Sequence, residues 1–260
     1  MNSSRFSNIA TALVLVLLVA AVPAAAVSVS GNSVPASVQV GQQQDVTYAV
    51  DDLYSDYDAW TLSGQTELTQ VTWTVTTYDQ TNAKIEQQQY NGQSFQQPVA
   101  ASDDVAKVTV RLQGTTPEWS NWTYDPAQQL TLASFAQTQE GGANETIQTS
   151  DARPYTTESQ QARSAIDAAK TSIADASASG ASTQEAQSLL ENAVSAYENG
   201  NFGNAESLAS QAQNKAAGAA QSKQQTNLLL MIAGGVILLL LVAGGVYWYL
   251  QQRQTYDRLG

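Results

Sequence analysis

Residues 69–76 read TQVTWTVT, with Val71, Trp73 and Val75 facing one way and threonines facing the other. Such alternation of apolar and β-favouring polar residues is the period-two mark of a strand with one buried face. The pattern repeats on both sides. Val34, Ala36, Val38 and Val40 alternate, as do Val46, Tyr48 and Val50. Residues 105–112 read VAKVTVRL, and Leu130, Leu132 and Phe135 close the series. Gly41, Gly64, Asn91-Gly92, Pro98, Gly114 and Pro117 punctuate these runs as turn residues. Roughly seven short strands in about a hundred residues predict two antiparallel sheets packed face to face across 27–139.

The composition then changes. Residues 140–155 are polar, with Gly141, Gly142 and Pro154, and have the character of a linker. Ala162, Ala165, Ile166, Ala169, Ile173 and Ala176 recur at spacings of three and four, which is a narrow apolar stripe on a helix. Ser179-Gly180-Ala181 breaks it. Residues 182–185, STQE, have capping-box form for a second helix carrying Ala186, Leu189, Leu190, Ala193, Val194 and Tyr197. Asn199-Gly200-Asn201 ends that one, and a third starts near Phe202 with Ala205, Leu208, Ala209, Ala212 and Ala216 in register. The prediction for 156–223 is an alanine-rich helical bundle.

Two apolar segments lie at the ends. Residues 228–250 read LLLMIAGGVILLLLVAGGVYWYL without a charge, which predicts a transmembrane helix over 227–250 with Gly234 and Gly245 on one packing face. Arg5, the apolar run 9–22 and Ala24-x-Ala26 form a secretory signal over 1–26, with an uncleaved anchor as its alternative. Together they place the body outside the cell, the span in the lipid bilayer of the cell membrane, and 251–260 as a cytoplasmic tail.

Charge and composition exclude several chemistries. The net charge of −12, from 23 acids against 11 bases, opposes a nucleic-acid partner. The chain has no cysteine and no histidine, so disulfides, thiolate sites and a histidine-based triad are excluded. Asp51, Asp52, Asp56 and Asp58 crowd one loop, which is either a hydrated acidic turn or a calcium site, the one cofactor the sequence suggests. Tyr54, Tyr57 and Trp60 beside them, with Trp119, Trp122 and Tyr124 after Pro117, are candidate binding-surface aromatics, packing being the alternative. Asn121-x-Thr123 and Asn144-x-Thr146 are N-glycosylation acceptors.

On Val71-Thr-Trp73-Thr-Val75 and Val108-Thr-Val110-Arg-Leu112 the first half resembles immunoglobulin-like and PKD modules of archaeal surface proteins. Scarce lysine and abundant acids resemble exported haloarchaeal proteins. Residues 193–205, around Ala196, Tyr197, Gly200 and Phe202, resemble the turn of a tetratricopeptide-type hairpin. The fold expected is mainly β plus α: an Ig-like antiparallel β-sandwich, an alanine-rich helical bundle and one transmembrane helix. The function expected is binding or scaffolding at a cell surface, with a protein partner there or in the membrane, and not an enzyme. A carboxylate-based enzyme acting on extracellular polymer, or a sensor subunit, are the alternatives.

Overall fold

The computed structural model describes residues 26–139, 142 and 144–254, the side chains of 226, 227, 230 and 246–254 excepted. The signal expected at 1–26 lies outside the described residues but for Ala26. Ten strands come first: β1 (Ser28–Asn32), β2 (Ser37–Gln39), β3 (Gln43–Asp51), β4 (Ala59–Gln65), β5 (Thr69–Tyr78), β6 (Lys84–Asn91), β7 (Ser94–Ala100), β8 (Lys107–Thr115), β9 (Leu130–Thr138) and β10 (Asn144–Tyr155). A 3-10 turn, η1 (Ala101–Asp103), joins β7 to β8. Three α-helices follow: α1 (Thr157–Ala178), α2 (Gln184–Glu198) and α3 (Phe202–Gln254).

The strands form two five-stranded sheets, ordered β1-β3-β8-β5-β6 and β2-β10-β9-β4-β7. β2 runs parallel to β10, and every other pairing is antiparallel. Alternation decides which faces meet. Val46, Tyr48 and Val50 of β3, Val71, Trp73 and Val75 of β5, and Val108, Val110 and Leu112 of β8 all turn inward and are buried. Leu62 of β4 and Leu130, Leu132 and Phe135 of β9 answer them from the second sheet. At the centre Tyr48 meets Phe135 edge-on with ring centroids 4.9 Å apart, and Trp73 lies 5.0 Å from Phe95. Each such fully buried large side chain contributes roughly 1.5–3 kcal/mol. Gly64 makes the fit possible, because a Cβ there would stand 2.2 Å from the Phe95 ring.

The helices pack through small residues. Ala162, Ile166, Ala169 and Ile173 of α1 and Ala193 and Tyr197 of α2 bury against Ala205, Ala209, Ala212 and Ala216 of α3. A reciprocal cap opens α1, in which Thr156 Oγ1 accepts from Ser159 N (3.1 Å) and Ser159 Oγ accepts from Thr156 N (2.9 Å). Gly200, at φ +74°, closes α2 as only glycine does freely, and Asn201 N donates back to Ala196 O at 2.9 Å.

The two parts meet through the β8–β9 connection. Trp122 and Tyr124, 7% and 6% exposed, belong to the helical core rather than to the sheets. Trp122 stands perpendicular to Phe202 at 5.0 Å and edge-on to Tyr197 at 6.4 Å. Trp119 touches both cores.

Several expectations need correction. The molecule is mixed α/β, not a mainly β protein, and no feature marks an immunoglobulin-like sandwich specifically. After β4 the chain crosses to the first sheet for β5 and β6 before returning to place β7 beside β4. In the immunoglobulin plan the strands added to that sheet follow directly. Residues 140–155, expected as a linker, hold β10, a strand masked in the sequence because only Ala152 and Pro154 are buried and two irregularities interrupt its register.

The membrane span expected at 227–250 is also corrected. Among the described residues no helix is long and apolar enough to cross a membrane. The single-pass placement and its cytoplasmic tail fall with that span; the extracellular body is inferred also from the signal at 1–26, which lies outside the described residues but for Ala26. The described large apolar side chains from Leu228 to Val242 are each more than half exposed on α3.

Trp122→Ala empties the junction between sheets and helices and should cost about 3–5 kcal/mol. Thermal melts followed separately by helical and sheet signals should coincide in the parent and separate in the variant; coincident, unshifted melts would refute the junction's role.

Candidate functional site

Three turns gather at one end of the sheets. The β3–β4 connection begins with Asp52 at φ +57°, a left-handed conformation that Asp tolerates because its side chain bonds locally. Ser55 then donates to Asp52 O through both its N–H (3.3 Å) and its hydroxyl (2.9 Å). Leu53 plugs the core beneath, and its carbonyl accepts from Trp60 Nε1 at 2.7 Å. In the β5–β6 turn, Asp79 Oδ1 accepts from Thr81 N (2.8 Å), Thr81 Oγ1 (2.7 Å) and Ala83 N (2.9 Å). Those bonds, the Thr81 hydroxyl's first, hold the Asp79 carboxyl below its ordinary value. The third turn is η1, where Asp104 ends the helix at φ +55°.

Backbone bonds tie these turns into one rim. Ala101 N donates to Asp58 O (2.8 Å) and Ala106 N to Tyr78 O (2.8 Å). Between them lies an open cleft of about 700 Å³, with Asp52, Asp79 and Asp104 on its walls and no basic residue among its lining. Tyr54 forms part of the wall, and its hydroxyl is buried without a hydrogen-bond partner. Burial first, and then the Asp103 carboxylate, push the Tyr54 phenol above its ordinary value, so it stays a donor. The cleft is thus acidic.

The sequence candidates separate on this frame. Of the four aspartates considered for calcium, Asp52 lines the cleft and accepts from Ser28 Oγ at 3.2 Å. Asp51 ends β3 in register with Ser28, while Asp56 and Asp58 are exposed on the loop. Among the described residues no three carboxylates gather to hold a metal ion. Tyr57 is exposed, Tyr54 is a cleft wall and Trp60 is core. Asn121 and Asn144 are both exposed, and Asn144 Oδ1 accepts from Thr138 Oγ1 at 3.2 Å. A Cβ added at Gly234 or Gly245 would meet nothing within 4 Å, so no described helix lies against that face.

Trp119, Trp122 and Tyr124 serve the junction instead of an open surface. The Tyr124 hydroxyl donates to Asp167 Oδ1, and the Arg163 guanidinium lies 4.6 Å from the Tyr124 ring centroid. Arg163 Nη1 also donates to Tyr124 O at 3.0 Å. Burial, followed by the hydrogen bond to Asp167 and that carboxylate's charge, raises the Tyr124 phenol strongly. Sequence reading missed Asp79 and Asp104 as cleft residues. The Asp-x-Thr-x-Ala spacing of 79–83 was the available signal for the first, since an aspartate capping the next few N–H groups marks such turns.

No protein-family model and no curated protein matches this chain. Among solved structures it is similar to the sporulation control protein Spo0M of Bacillus subtilis, at 10% identity and a TM-score of 0.30, covering 55% of each chain. It is also similar to a DUF4466 family protein of Parabacteroides merdae, at 15% identity and a TM-score of 0.28, covering 48% of this chain and 44% of that one. A third likeness is AvmM, described as catalysing macrocyclization in alchivemycin A biosynthesis, at 10% identity and a TM-score of 0.29, covering 49% of this chain and 88% of that one. This chain therefore spans about half the length of the first two. The expected kinship with haloarchaeal surface proteins, PKD modules and tetratricopeptide hairpins is corrected: no family model of any such module matches this chain.

Tyr124 makes the junction sensitive to alkali. Its folded pKa lies above that of a free phenol, ~10, so its contribution is complete below pH 10 and is lost as pH rises beyond it. The denaturation midpoint of the parent should fall between pH 9 and about 11, and Tyr124→Phe should lose part of that fall. An identical alkaline loss in the variant would exclude Tyr124 as its source.

Proposed function

We propose that this is a binding or scaffolding protein whose acidic cleft receives basic side chains of a partner protein. The observation that carries the proposal is the cleft itself: three turns tied into one rim and three aspartates on its walls. Lysine or arginine offers N–H donors and positive charge to carboxylates that have acceptor positions left. The chain's net charge of −12 adds long-range attraction for such a partner and speeds encounter.

Asp79, held ionised by three donors, is the opposite of the raised carboxyl that acid catalysis requires, which favours binding over carboxylate-based hydrolysis. The helices supply the scaffolding half of the reading. α3 extends well past the bundle, and its exposed apolar stretch offers a second contact for a protein partner.

Fluorescence anisotropy with labelled lysine- and arginine-rich peptides tests the proposal on the full chain. Binding should be salt-sensitive, absent for acidic peptides of equal length, and weakened about three- to tenfold by Asp52→Asn with Asp104→Asn. Equal affinity for acidic and basic peptides, or indifference to these substitutions, would overturn it.

A further inference from the structure

Each sheet has two edges, and three of the four are guarded. β2 is three residues long, β1 is five, and β7 carries Pro98, which removes one N–H from its edge. The fourth edge, β6, is different. It spans eight residues, contains no proline, and is exposed on both faces except at Tyr90. Its register with β5 is regular from Asn91 to Glu86 and shifts only at the far end, beside Lys84. Open backbone donors and acceptors along such a strand are a template for another strand.

We propose that β6 pairs with β6 of a second copy of this chain, antiparallel across a two-fold axis perpendicular to the sheet, to give one continuous ten-stranded sheet. The composition of the strand argues for self-pairing. Lys84 and Glu86 cancel, so β6 is a locally neutral strip on a chain of net charge −12, whose copies repel elsewhere. Both charges are already engaged inside the strand, Lys84 Nζ with Gln87 Oε1 (3.3 Å) and Glu86 Oε1 with Gln88 Nε2 (3.0 Å).

A perpendicular two-fold axis preserves which face is which, so the centre of symmetry must fall on a residue. Centring on Gln87 sets Gln87 opposite its own copy, Ile85 opposite Gln89 and Lys84 opposite Tyr90. Centring on Gln88 sets Gln87 opposite Gln89 and Glu86 opposite Tyr90. Neither register places like charges opposite each other, and both bring glutamine amides face to face, where each side chain offers donor and acceptor at once. Ile85, 45% exposed, gains cover from the second copy. The contact is one strand wide, so it forms in a concentration-dependent way.

The absence of cysteine makes the test clean, because a single introduced thiol is the only one present. In full-length protein, Gln87→Cys and Gln88→Cys are compared under mild oxidation with Gln187→Cys, an exposed position on α2. Facing residues of an antiparallel pair lie within disulfide reach. One of the two β6 variants should form a disulfide dimer about tenfold faster than the control, and the other should not. In parallel, sedimentation of the cysteine-free parent should show a dimer that Gln87→Lys with Gln89→Lys weakens about tenfold, the folded signal being unchanged. Cross-linking no faster than the control overturns the proposal. So does an association that survives the lysines, as one through the apolar stretch of α3 would.

Discussion

Trp122 meets Phe202 at right angles and Tyr197 edge-on, and this small group of rings holds two otherwise separate cores together. The sheets possess many large buried side chains of their own, but the helices have few, chiefly Ile166, Ile173 and Tyr197. Their interior is mostly alanine, which buries little apolar area per residue. Rings supplied from the β8–β9 connection fill what alanine cannot. Tyr124 then fastens the contact with polar bonds, reaching Asp167 through its hydroxyl and Arg163 through its carbonyl. Gln128 completes the fastening from a buried position, its amide donating to Pro154 O at 3.0 Å just before α1 begins.

What the sequence reveals here follows from the range of the interactions. Val71, Trp73 and Val75 declare their burial through spacing alone, and so do Ala162, Ile166, Ala169 and Ile173, because strand and helix periods are local. The same reading offers Trp122 and Tyr124 as candidates for a binding surface, with packing as the alternative, and cannot choose between the two. Their partners, Tyr197 and Phe202, lie beyond β9, β10 and α1, and no local pattern announces them. β10 escaped for a related reason: its pairing with β9 is made by backbone groups while most of its side chains stay polar and exposed. The cleft was half visible. The acidic run at 51–58 marked one wall, but Asp79 and Asp104 reach it only through the fold.

Charge shapes this molecule more by imbalance than by pairing. Among the described residues the ion pairs are Arg111 with Asp45 on the sheet and Lys215 with Glu185 between helices. Both are exposed and contribute little to stability. Arg111 nonetheless lowers the Asp45 carboxyl, through its hydrogen bond first and its charge second, and Gln113 adds a further donor at 3.1 Å. The cleft concentrates three further carboxylates on one rim.

α3 runs unbroken for 53 residues, about 80 Å at 1.5 Å per residue, and its first turns are clamped by Trp122 and Tyr197 through Phe202. A helix advances about 100° per residue and resists twisting. The compass bearing of its far apolar stretch is therefore fixed relative to the cleft, like the two ends of a key. A single residue added between Lys223 and Leu228 would swing one end by about a quarter turn against the other, whereas seven would restore the bearing nearly unchanged. Any partner that grips both ends must read that phase.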